Sequence, residues 1–449
     1  MFYNYPNRLT NLKYDRFKLL KMKTSNFLLC FVAALAFQGC SLKTDDEELD
    51  RRLLSLLKSK DYFKLRSELF QNFEKLPIEK QLYYKTYIAQ AFNRGSESNE
   101  YADILLKEHE HQISDSVKAE LLVIKANNYI HSYQYAKVSE LYSVLLNDYK
   151  SISDSAEIAD FKNVKSLFGT LSEVAPQTMC LKSDVTIPAY RNKFNHLMIP
   201  VKLGGIDDEF IFDTGANIST ISESSAVKLG CRIFESDVEV GTSTDIKLKT
   251  KLAVSDSVYV GEILFKNVIF LVVPDSQMNF PSINYEIHGI VGYPVISQMG
   301  EVRMRKDGTI FVPVSPQDLK LNNVFMEGLN PVVQFISNAY TLLLTLDTGA
   351  KTSELSCKYY NNHKAYVEQN GKLQTSQRGG GGGFVESEEY VISNFEYKIG
   401  TKSNVLSTIS VLTTELNFIK DFDGNLGQDV FVQFDEMIMN FKYMYVDFN

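Results

Sequence analysis

The chain has no basic field. Among its 449 residues Lys and Arg number 47 and Asp and Glu 55, a net charge of −8, which leaves nothing to draw a nucleic acid. It has no GxGxxG and no GxxxxGK, so nucleotide chemistry has no support. The six His do not cluster at ligand spacing, His288 beside Gly289 reads as structural, and the five Cys form no CxxC. No metal and no cofactor are expected. The one membrane-like stretch, Phe27 to Phe37, falls far short of the roughly 20 residues a spanning helix needs. Gly and Pro are nearly missing between Glu47 and Ala175, where only Pro77, Gly95 and Gly169 occur. That leaves room for long, unbroken helices.

What is present starts with "MKTSNFLLCFVAALAFQGC", Met22 to Cys40. Lys23 supplies a positive start, an apolar core follows, and Phe37-Gln38-Gly39-Cys40 resembles a bacterial lipoprotein cleavage site. The resemblance implies that residues 1–39 are a signal peptide with its true start at Met22, and that Cys40 carries the lipid. Residues 40–50, "CSLKTDDEELD", then read as an acidic tether. Buried acyl chains would anchor such a protein without a transmembrane helix. It would sit in a bacterial cell envelope, as an outer-membrane lipoprotein facing the periplasm or the cell surface. The three cysteines outside this segment, Cys180, Cys231 and Cys357, read as small buried hydrophobes.

Residues 51–175 carry a helical pattern, with apolar residues three and four apart in "AELLVIKANNYIHSYQYAKVSELYSVLL", Ala119 to Leu146. "DYFKLRSEL", "EYADILLKE" and "QYAKVSELY" place a shared tyrosine at Tyr62, Tyr101 and Tyr135, steps of 39 and 34. Such steps resemble tetratricopeptide repeats, and a plain helical bundle is the other reading. Repeats of that kind could hold a protein partner.

After Ala175 the texture turns to alternating strands and turns, in two halves, 180–316 and 323–449. Each half leads an apolar strand into the same four residues. "FIFDTGANIST" runs from Phe210 to Thr220 and "LLLTLDTGAKTSEL" from Leu342 to Leu355. The two aspartates, Asp213 and Asp347, lie 347 − 213 = 134 residues apart, a domain-sized offset that marks an internal duplication. The second half also holds "RGGGGGF", Arg378 to Phe384, which reads as a loop with no part in a core.

An Asx-turn would account for one Asp-Thr-Gly, but not for Thr and a flanking apolar strand kept in both copies. Chemistry accounts for both. Two carboxylates, one from each half, can hold one water between them. Like charges that close cannot both ionise, so the pair shares a proton. One carboxylate then takes a proton from the water while the other polarises a substrate carbonyl. Gly215 and Gly349 permit close backbone approach, Thr214 and Thr348 can bond across the interface, and the apolar strands bury the loops.

These residues resemble the aspartic proteases of the retropepsin and pepsin group, over roughly Pro200 to Phe448. The chain is similar to bacterial retropepsin-like aspartyl protease lipoproteins. Ile290-Val291-Gly292 matches the hydrophobic-hydrophobic-Gly element that braces the active loop; its counterpart is Asn425-Leu426-Gly427, where Asn replaces the first apolar residue. The resemblance implies a tetratricopeptide-like helical domain followed by a two-lobed all-β aspartic protease fold made of duplicated retropepsin-like lobes. It implies Asp213 and Asp347 as the catalytic pair, a polypeptide substrate, and hairpin flaps at Glu239–Lys247, hinged at Gly241, and in the Gly-run around Gly381. Pepsins usually carry Ser where this chain has Ala216 and Ala350, so activity is expected at mildly acidic to neutral pH. The rival expectation is a peptide-binding or scaffold lipoprotein that uses the same fold without turnover.

Overall fold

The computed structural model describes residues 45–242, 247–380 and 383–449. The signal segment and Cys40 lie outside the described residues, and so does Gly381. A helical region, residues 47–170, precedes a β-rich region, so the class is mixed α and β.

The acidic run read as a tether enters helix α1, Glu47–Lys58. The Asp46 side chain accepts the Leu49 N–H at 2.9 Å, and Glu47, Glu48 and Asp50 lie in the first turn, where the helix dipole favours negative charge. Three helix pairs follow. They are α2 (Tyr62–Asn72) with α3 (Ile78–Ala91), α4 (Gly95–Glu108) with α5 (Asp115–His131), and α6 (Tyr135–Asp148) with α7 (Ser155–Thr170). A single 3₁₀ turn joins the members of each pair. Each pair is entered through a left-handed residue, Lys60, Asn93 and Tyr133, with φ of 57°, 57° and 58°.

Those turns, not the tyrosines, mark the entry to each helix pair. Tyr62 and Tyr135 open α2 and α6, but Tyr101 lies inside α4, so matching on tyrosine sets the middle unit out of register. The helices also complete a core that the β region begins. Leu49 through Ile124 form one apolar cluster with Phe325, Val332, Leu343 and Phe422. Phe325 stands edge-on to Tyr62 and Phe63 at 5.1 and 5.3 Å. Lys60 pairs with Glu327 and Asp421, each at 2.7 Å.

Most strands of the first half form one sheet and most strands of the second half another. At the centre of each lies the same crossing. Strand Ile206–Phe212 runs parallel to Gly289–Val291, which is antiparallel to Ser219–Ser222. Strand Tyr340–Leu346 runs parallel to Gly424–Leu426, which is antiparallel to Glu354–Leu355. A five-stranded sheet joins the halves: Val185–Pro188, Thr309–Val312 and Glu301–Arg305 continue into Glu436–Asn440 and Tyr445–Phe448. Within it Glu301, wholly buried, is held by Arg303 at 2.6 Å, the Gln317 N–H at 2.6 Å and the Asn440 amide at 2.8 Å.

Cys180 is exposed and Cys231 and Cys357 are half-buried, so they do not share one buried role. Burial pushes the Cys231 thiol up to about 11. No described helix is long and apolar enough to cross a membrane.

His288 does serve the fold, through Asp208 near the start of the strand that leads to Asp213. Its Nδ1 lies 2.6 Å from Asp208 Oδ1. Burial raises the Asp208 carboxyl, but hydrogen bonds from His288 and the Glu209 N–H, with the His288 and Lys228 charges, bring it below its ordinary value. A carboxyl depressed by folding stabilises above its unfolded value and loses that contribution as pH falls through the folded one. Asp208→Asn is therefore expected to melt below the wild type at neutral pH. The gap should close below about pH 4; melting curves from pH 3 to 8 check this.

Candidate active site

Each aspartate follows the buried end of a strand whose neighbour fixes its backbone. The Asp213 N–H donates to the Val291 carbonyl and the Asp347 N–H to the Leu426 carbonyl, both at 3.0 Å. Beyond them the chain turns back on the carboxylates. Asp213 Oδ1 accepts the Gly215 N–H at 2.8 Å; Asp347 Oδ1 accepts the Gly349 and Ala350 N–H groups at 2.9 Å. The loops are then closed from behind. Tyr293 N–H reaches the Ala216 carbonyl at 2.8 Å and Gln428 N–H the Ala350 carbonyl at 2.9 Å. Gly292 and Gly427 stand where a Cβ would meet backbone, 2.5 Å from the Ala216 oxygen and 2.6 Å from the Thr352 carbonyl carbon.

The two loops lock together reciprocally. Thr214 N–H donates to Thr348 Oγ1 and Thr348 N–H to Thr214 Oγ1, both at 3.0 Å. The hydroxyls donate in turn to the opposite strands, Thr214 to the Leu346 carbonyl at 2.8 Å and Thr348 to the Phe212 carbonyl at 3.1 Å. Both threonines are fully buried, and Asp213 and Asp347 are 4% and 8% exposed. The Asp213 carboxylate lies directly over the facing loop: a Cβ on Gly349 would fall 2.5 Å from its carbon. The structure thus brings Asp213, Thr214, Gly215, Asp347, Thr348 and Gly349 into one buried cluster, braced by Gly292 and Gly427.

A family model described as aspartyl protease matches residues 199–295. The match takes in Asp213-Thr214-Gly215 and the brace at Gly292 and does not reach the second half. A comparison with curated proteins returned no match.

Several residues of the site went unnoticed in the sequence. Gly292 N–H donates to Ser219 Oγ at 3.0 Å and Gly427 N–H to Ser353 Oγ at 2.9 Å. The two serines are 353 − 219 = 134 residues apart, the offset of the aspartates, and that repetition is the signal that could have found them. Asp429 accepts the Ser353 N–H at 2.8 Å and hydroxyl at 2.6 Å. Burial raises the Asp429 carboxyl and those hydrogen bonds only partly counter it.

Asn425, the departure from the apolar pattern, keeps the strand pairing of its counterpart. Its amide donates to Asp347 Oδ2 at 3.3 Å and its Oδ1 accepts the Thr345 hydroxyl at 2.6 Å. Ile290 offers Asp213 no such donor, so the site is asymmetric.

Gly241 ends strand Arg232–Gly241, one arm of a hairpin with Lys247–Ser255. Helix α7 grips that arm: the Asn163 amide donates to the Glu239 carbonyl at 3.1 Å and accepts the Glu239 N–H at 3.2 Å. Part of the glycine run departs from its reading as a loop: Gly379, Gly380 and Gly383 lie in strands. Strands Gly371–Gly380 and Gly383–Ile399 pair up to Gly380 and Gly383, because a long backbone ladder carries residues that bring no side chain of their own. Among the described residues no three His, Cys, Asp or Glu side chains converge as a metal centre requires.

Proposed function

We propose that this chain is an aspartic endopeptidase. The reading is carried by one observation: the reciprocal Thr214–Thr348 exchange, which ties two buried Asp-Thr-Gly loops into a single unit. In the proposed reaction a water held by the pair loses a proton to the ionised carboxylate and attacks the substrate carbonyl. The protonated partner donates to the carbonyl oxygen, giving a gem-diol. Collapse of the diol expels the amine, which leaves with a proton from the dyad. The backbone N–H groups that hold the carboxylates are already oriented, so little reorganisation accompanies the reaction.

The test is a peptide-library digest read by mass spectrometry, with and without a statine-type inhibitor. Inhibitor-sensitive cleavage, strongest from mildly acidic to neutral pH, is expected. A library left uncut at every pH would instead favour a peptide-binding protein on the same fold.

We also propose that Cys40 anchors the chain to a bacterial envelope. Radiolabelled palmitate should enter the wild type expressed in a bacterial host and not Cys40→Ala. Equal labelling of both would remove the anchor from the reading.

A further inference from the structure

Where residues 189–191 meet residues 304–310 and 431–437 lies a cavity of about 370 Å³. Three cations line it: Arg191, Arg305 and Lys306. Two have acid partners, Arg305 with Glu436 at 3.0 Å and Lys306 with Asp435 at 3.2 Å. The one acid in the lining, Asp307, is taken up by the Thr309 N–H at 2.9 Å and hydroxyl at 2.7 Å. Arg191 differs. Among the described residues no carboxylate pairs with its half-buried guanidinium, which contacts only neutral oxygens, the Asn195 carbonyl at 3.3 Å and Gln428 Oε1. Burial without an acid lowers its pKa.

Arg191 is also tied to the dyad. Gln428 donates from Nε2 to the Thr348 carbonyl at 2.7 Å, so one side chain separates the guanidinium from the loop that carries Asp347. The rest of the lining includes apolar Leu197, Phe431 and Phe434, and half-exposed Val432 opens it to solvent. A cation held half-buried by neutral acceptors, with donors to spare and an apolar wall around it, is built to receive a planar anion on an apolar stem.

We propose that this cavity is a substrate subsite that takes a carboxylate-bearing segment of the peptide, with Arg191 as its receptor. The link to turnover rests on the peptidase reading; the recognition of a carboxylate does not. The carboxylate can come from an acidic side chain or from the end of a chain, and matched peptides separate the two. One pair differs only by Glu against Gln, the other by a C-terminal acid against its amide.

Binding of each peptide to the full chain carrying Asp213→Asn is read by fluorescence anisotropy, and cleavage by the wild type as kcat/KM. At least one acid form is expected to bind roughly 10- to 100-fold better than its neutral twin. Adding Arg191→Gln should erase that ratio, and Arg191→Lys should restore part of it. Lost packing alone would weaken both twins and leave the ratio unchanged. Equal binding of acid and neutral twins in both pairs overturns the proposal, as does a ratio that survives Arg191→Gln. If the wild type cuts nothing while the acid preference holds in binding, the peptidase reading fails and the carboxylate site stands.

Discussion

Asp213→Asn is expected to reduce peptide hydrolysis by roughly 10⁴-fold while peptide affinity stays within a few-fold of the wild type. The amide keeps an oxygen to accept the Gly215 N–H, so the loop should hold its shape, but it cannot take a proton from water. Asp347→Asn should lose activity to the same extent, and the double variant little more, because two groups acting on one water are not additive. The stability of the two single variants should differ. At position 347 one oxygen must still accept from Gly349 and Ala350, which turns the new NH₂ toward the Asn425 amide. Asn425 cannot turn to accept it without losing the Thr345 hydroxyl. Asp347→Asn gives up the hydrogen bond from Asn425, which Asp213→Asn does not touch, and should be the less stable of the two by about 1 kcal/mol. Denaturant titration measures this, and kcat/KM with peptide affinity measures the rest. Cleavage that persists in either single variant would falsify the two-carboxylate reading.

The aspartyl loops were legible because their information is local: a strand, four residues and a turn, written twice at one offset. Helix was legible in the region before Ala175 for a similar reason, since periodicity needs only one turn of neighbours. Register was harder. The helix pairs are set by the backbone turns at Lys60, Asn93 and Tyr133, three residue types with nothing in common except a left-handed φ. The sheet that joins the halves was hidden, because Glu301–Arg305 shows no sign in its own residues that Glu436–Asn440 will be its partner. The same non-locality hid the helices' hold on the second half, since nothing in the residues around Phe325 and Phe422 marks them as partners of the helices. Asn425 read as a break in an apolar pattern, and only its neighbours Thr345 and Asp347 turn it into a hydrogen-bonded member of the site. Arg191 belongs to no motif; what sets it apart is that no carboxylate among the described residues pairs with it, a property of space and not of sequence.

Alanine at the site glycines should separate positioning from folding. Gly349 and Gly427 are both closely approached, but by different things. At Gly427 a Cβ would meet the Thr352 carbonyl carbon and oxygen at 2.6 and 2.7 Å and the Ala350 oxygen at 3.0 Å. Backbone held by the Gly427–Ser353 hydrogen bond cannot yield without disturbing the loop, so Gly427→Ala should cost about 1–3 kcal/mol of stability. At Gly349 the Cβ would meet the Asp213 carboxylate, at 2.5 to 2.6 Å from its three atoms. A side chain can swing aside where backbone cannot, and Gly349 does not have the left-handed torsion that would strain an alanine. Gly349→Ala should therefore fold with near wild-type stability and yet lose about 10²-fold in kcat, since displacement of a reacting group by about 1 Å has that effect. KM should change little, because the carboxylate moves and the walls of the cleft do not. Thermal melting beside steady-state kinetics for both variants makes the comparison. If Gly349→Ala keeps full kcat, the Asp213 carboxylate has no need to rest against the opposite loop, and hydrolysis would have to be sought elsewhere in the molecule.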